Sequence, residues 1–215
     1  MKTYLARFAI VLFGLVLYAL GIAITINANI GYAPWDIFHA GLSGVTGLSF
    51  GTVSIIVGTI IVILVTVLGE KFGLGTILNV FVIGVILDII FKFRIIPVAD
   101  NHFAGAVMLI CGMFVISLGS YFYIKSGFGV GPRDNLMVVL SRKTKIPAGI
   151  CRIIIETIVA LIGWRLGGMI WFGTIFFVIG IGFCIQITFT LLKFDVTAVK
   201  HESLGYTISA LFRKG

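Results

Sequence analysis

Residues Gly31-Tyr32-Ala33-Pro34-Trp35-Asp36 return 98 positions later as Gly129-Val130-Gly131-Pro132-Arg133-Asp134. The first residue permits a break in the backbone. Proline suits the first position of a helix, where its missing N–H leaves nothing unsatisfied. Aspartate two residues on falls in the first turn, where its charge complements the helix dipole. A short helix is therefore expected to start near Pro34 and again near Pro132.

The same 98-residue shift aligns the flanking sequence without a gap. Gly14 and Gly21 fall on Gly112 and Gly119, and Leu42, Ser43 and Thr46 on Leu140, Ser141 and Thr144. Gly51 and Thr59 fall on Gly149 and Thr157, Gly75 and Thr76 on Gly173 and Thr174, and Gly84 on Gly182. Apolar composition inflates matches of Ile and Leu, but it does not produce matched Gly, Pro, Asp and Thr in one register.

The chain is 60% hydrophobic and only 11% charged, against roughly 25% charged in a soluble domain. Its apolar residues come in blocks of about twenty, the length that crosses about 30 Å of hydrocarbon. Six spans are expected, near 7–27, 50–69, 74–92, 104–125, 147–166 and 170–192, with 203–212 as a short surface helix. With the N-terminus inside, thirteen of the sixteen Lys and Arg fall on the cytoplasmic side, Lys200, Arg213 and Lys214 among them; Lys92, Arg94 and Arg165 fall outside. This is the positive-inside pattern, so the net charge of +8 reports topology and not nucleic-acid binding. Both termini are expected in the cytoplasm. Three spans per repeat reverse the second copy. The expected fold is thus an all-α membrane protein of two inverted three-helix repeats, 1–98 and 99–195, each with a short broken helix after its first span, and a cytoplasmic tail, 196–215.

Inverted repeats are common in secondary transporters, where two related conformations open to opposite sides. Two helix breaks at membrane depth also direct free N–H groups at one place, an arrangement that suits anions. The candidate binding residues are Gly31, Pro34, Trp35, Asp36, Gly129, Gly131, Pro132, Arg133 and Asp134, with Arg152 and Glu156 four residues apart in the fifth span. Trp35 opposite Arg133 is the one asymmetry of charge in the motif. Gly-x-x-Pro-x-Asp is equally good helix-start grammar, so the motif alone leaves a structural and a functional reading open. Asp88 reads as an interfacial residue, His39 as a loop residue and Asn79 as interhelical glue. Gly163-x-x-x-Gly167 reads as a close crossing, and the three cysteines as small core residues. No nucleotide-binding loop, metal constellation or nucleophile–base arrangement is visible, so neither an enzyme nor a cofactor is expected.

Gly31–Asp36, the run Gly47-Leu-Ser-Phe-Gly-Thr52 and Arg152-Ile-Ile-Ile-Glu156 with Gly167-Gly168 resemble the YczE/YyaS/YitT-like family of bacterial integral membrane proteins, in its YczE branch. Ala33 replaces a glycine of that pattern, and Arg133 replaces its tryptophan in the second copy. The resemblance implies a bacterial plasma membrane and no particular activity. The leading expectation is a small permease for an anionic or zwitterionic solute bound where the repeats meet. The alternative is a substrate-binding or accessory subunit of a larger complex. The expected partners are the bilayer and a small solute, with a homodimer left open and no nucleic acid.

Overall fold

A computed structural model describes residues 2–199 and 201–212; Lys200, Arg213 and Lys214 of the inside set lie outside the described residues. Among these the chain is helical without strands: α1 (Lys2–Asn27), α2 (Pro34–Thr46), α3 (Phe50–Val67), α4 (Leu74–Lys92), α5 (His102–Lys125), α6 (Pro132–Thr144), α7 (Ala148–Arg165), α8 (Phe172–Leu191), a 3-10 turn (Val196–Ala198) and α9 (Leu204–Phe212). The starts of α2, α3 and α4 recur 98 residues later as those of α6, α7 and α8. Both 13-residue helices, α2 and α6, begin with proline. Both end on a left-handed residue: Gly47 at φ 72° and Lys145 at φ 60°. That conformation is free for glycine, whereas an ordinary residue in it is disfavoured by about 1–2 kcal/mol.

Five helices, α1, α3, α4, α5 and α8, are long and apolar enough to cross a membrane. The expected sixth span, α7, carries Arg152, Glu156 and Arg165 within 18 residues. It meets the same standard only together with α6, from which it is bent by 119°. Of the charges that weaken α7 as a span, Arg152 and Glu156 line an internal cavity described below.

Glycines set the central crossing. A Cβ on Gly14 would sit 2.9 Å from the Gly119 carbonyl oxygen, and one on Gly119 would sit 2.8 Å from that of Gly14. Gly21 and Gly112 approach in the same reciprocal way. The pairing of early with late residues makes α1 and α5 antiparallel, and the absence of side chains lets their backbones meet. Two layers result. In one, α4 packs on α1 and α8 on α5, around Leu15, Ala19, Leu87, Ile116 and Ile181. In the other, α2 packs on α7 and α3 on α6, around Trp35, Val65, Leu136 and Val139.

Some expectations need correction. Gly163 packs against Phe38 of α2, but its partner in the crossing is Gly168, against Ile37; Gly167, at φ +100°, only turns the chain after α7. Cys151 and Cys184 are buried, whereas Cys111 is exposed, because its neighbour Gly112 occupies the face that meets α1. The C-terminal segment is tied down. Arg7 donates to Glu202 at 2.6 Å, Glu202 N–H donates to Gly127 O at 2.8 Å and Leu204 N–H to Phe72 O at 2.9 Å.

Candidate solute site

Each helix break is seated on the opposite half. Gly31 turns at φ +116° with its α-carbon against Thr174 and Trp171 at the start of α8. Gly173 N–H donates to Ile30 O at 2.7 Å, and Tyr32 N–H to Met169 O at 3.3 Å. Ninety-eight residues on, Gly129 turns at φ +123° against Gly73 and Thr76 at the start of α4. Gly75 N–H donates to Phe128 O at 2.8 Å, and Thr76 Oγ1 donates to Val130 O at 2.7 Å. These interactions hold the N-termini of α2 and α6 at one cavity between the two layers.

That cavity has a volume of about 630 Å³, enough for a small metabolite. Its walls come largely in pairs 98 residues apart: Pro34 with Pro132, Asp36 with Asp134, Ser54 with Arg152, Gly58 with Glu156, Val80 with Val178. Of the candidates from sequence, Pro34, Trp35, Asp36, Gly131, Pro132, Arg133, Asp134, Arg152 and Glu156 line it. Gly31 and Gly129 do not; they are the turns behind the wall.

The Arg133 guanidinium lies 5.0 Å from the centre of the Trp35 ring, so the two asymmetric residues of the motif meet. Arg152 is committed to Glu156 at 2.8 Å, while Arg133 takes part in none of the ion pairs among the described residues. Asp36 is buried with its Oδ1 unpartnered, and both ring nitrogens of His39 and the Tyr123 hydroxyl are likewise buried without a hydrogen bond. Buried polar atoms are normally satisfied, and each exception asks for an explanation. Here all three residues line the same cavity, although these particular atoms are shielded from it by their neighbours. Asp134, by contrast, is exposed and lines the cavity. No group of three or more metal-ligating side chains occurs among the described residues.

Three polar residues sit differently from their expected places. His39 is in α2 and 1% exposed, not in a loop, because residues 34–46 fold as a helix whose first two turns are largely buried. Asn79 makes no interhelical hydrogen bond among the described residues; it lines the cavity. Asp88 is more than interfacial: it accepts from Ser49 Oγ at 2.6 Å and from Gly51 N–H at 2.7 Å, fastening α4 to the start of α3. Tyr18, Ser120 and Tyr123 also line the cavity and carried no sequence signal beyond a hydroxyl on an apolar helix.

The family described as one of unknown function, DUF6198, matches residues 5–190. The chain is 35% identical over 164 residues to the uncharacterized membrane protein YczE of Bacillus subtilis, covering 75% of each. It is 29% identical over 178 residues to an uncharacterized protein of Haemophilus influenzae, covering 83% of this chain and 81% of that one. It is 28% identical over 139 residues to YyaS of Bacillus subtilis, covering 61% and 67%. No solved structure matches.

Proposed function

The chain belongs to the DUF6198 family of multi-pass membrane proteins, and we propose that it is a small permease whose solute binds between the two helix breaks. The observation that carries this reading is the meeting of the repeated motif with itself: Trp35 and Arg133, equivalent by sequence, stack on each other in the wall of a cavity lined by both halves. A scaffold has no need of a cavity at that place, nor of an unpaired cation and unpartnered polar atoms around it. Arg133 and two helix N-termini favour an anionic group on the solute. Asp36 and Asp134 suit a cationic group, so a small anion or zwitterion fits best. A melting screen over small carboxylates, phosphates and amino acids tests the site. Ligands that raise the Tm of the wild type but not of Arg133→Gln support it; a folded protein indifferent to the whole panel contradicts it.

The antiparallel register of α1 and α5 supports an inverted second half, in a bacterial plasma membrane with both termini in the cytoplasm. Cysteines at Gly44 and Arg142, equivalent positions 98 apart, should then react with an impermeant thiol reagent from opposite faces, Gly44→Cys from outside and Arg142→Cys from inside. Labelling of both from one face would rule the inversion out.

A further inference from the structure

The two halves share one sequence pattern but differ in one packing. In the first half α3 lies tightly on α4: a Cβ on Gly51 would overlap the Gly84 carbonyl oxygen, and one on Gly84 would sit 2.5 Å from Ile55 Cγ1. In the second half the equivalent Gly149 and Gly182 are both exposed, with nothing within 4 Å of where a Cβ would stand. Only α3 with α4, not α7 with α8, is among the principal helix pairings. Both glycines of a close crossing are present in α7 and α8, and the crossing is not made.

We infer that the chain has a second state in which α7 closes on α8 through Gly149 and Gly182 while α3 parts from α4. In the orientation proposed above, the start of α3 and the end of α4 are outside, and the start of α7 and the end of α8 inside. The structure is then the inward-open state, and its exchange with the second state opens the cavity alternately to the two sides. The polar residues set the bias. Asp88 fastens the outer pair through Ser49 Oγ, Gly51 N–H and, more weakly, Thr52 Oγ1 at 3.4 Å. Its equivalent Gln186 is exposed, and Pro147 and Ile150 stand where Ser49 and Thr52 do. The inner latch therefore has an uncharged acceptor and two fewer donors, and the inward-open state prevails. Closure also brings Glu156 against Val178, as its equivalent Gly58 lies against Val80 at 3.0 Å from where a Cβ would stand. The Arg152–Glu156 pair, already in the cavity wall, must then be further desolvated, which couples closure to what the cavity holds.

The inference rests on the permease reading for its purpose, but its test needs no solute, so the two can fail separately. Ile154 and Phe183, and the equivalent Ile56 and Val85, are exposed in both halves and accept nitroxide labels. With Cys111, Cys151 and Cys184 replaced by alanine, electron–electron distances are read in the full chain in nanodiscs. The Ile154–Phe183 distance should be mainly longer than Ile56–Val85. Asp88→Ala, or Asp88→Asn should the alanine variant fail to fold, should enlarge a short Ile154–Phe183 population on the order of tenfold, the worth of one charge-assisted hydrogen bond. Adding Gly182→Leu or Gly149→Leu should abolish that population without lowering Tm, since both point into open space here. An Ile154–Phe183 distribution unmoved by loss of the Asp88 carboxylate, or a short population that survives both leucines, would overturn the inference.

Discussion

Arg133→Gln lowers solute uptake on the order of a hundredfold, the scale on which removing one partner of a buried charged pair acts, while the amount of folded protein holds. Folding is largely spared because Arg133 takes part in none of the close ion pairs among the described residues, and its stack on Trp35 is worth about 0.5–2 kcal/mol. Arg133→Lys keeps the charge but not the planar stack, and should restore part of the uptake. The aspartates make the matched comparison. As mere helix-start residues, Asp36 and Asp134 would each contribute about 0.3–1 kcal/mol through the helix dipole, and Asn would replace them mildly. As site residues they face the cavity, and Asp36→Asn or Asp134→Asn should cost uptake with Tm nearly unchanged. Pro34→Ala and Pro132→Ala, scored for folding and uptake together, give the effect of disturbing the breaks without touching charge. Loss of uptake only in proportion to lost folded protein would make the motif structural.

Gly73→Ala should be strongly damaging to folding for the addition of a single methyl. At Gly73 a Cβ would overlap the Phe128 carbonyl oxygen and stand 2.7 Å from that of Glu202. The Phe128 carbonyl accepts from Gly75 N–H at 2.8 Å, the bond that seats the second break, so the loop cannot move aside without losing it. Overpacking of a well-filled site costs about 1–3 kcal/mol, and the broken bond adds to it. Gly44→Ala is the control: nothing lies within 4 Å of its Cβ, and alanine favours an exposed helix by about 0.8–1 kcal/mol. Thermal melts in detergent should fall markedly for Gly73→Ala and hold or rise for Gly44→Ala. Equal melts would place the Phe128 loop elsewhere.

The repeat made much of this architecture legible. Matched glycines, prolines and aspartates fix where α2 and α6 begin, and the Gly14/Gly21 spacing with its copy marks the α1–α5 crossing, because those features are local to one helix. What was not legible depends on which surfaces meet. His39 reads as a loop residue because nothing in residues 34–46 says that the start of so short a helix is buried. Asp88 reads as interfacial because its partners, Ser49 and Gly51, are close only once α3 lies on α4. Gly167 and Gly168 differ in role by a turn of backbone that spacing does not encode. The difference between α3–α4 and α7–α8 was hidden for another reason: both pairs carry the same glycines, and sequence equivalence does not say which crossing a given state makes.

Uptake into proteoliposomes is the most direct test of a solute site between the two breaks. Purified chain is reconstituted and offered a panel of small radiolabelled anions and zwitterions, with and without a pH gradient, beside Arg133→Gln reconstituted to the same density of folded protein. Protein-dependent, saturable entry of at least one solute is expected, reduced on the order of a hundredfold in Arg133→Gln. No flux from folded wild-type protein across the panel, or flux equal in the two proteins, would contradict it.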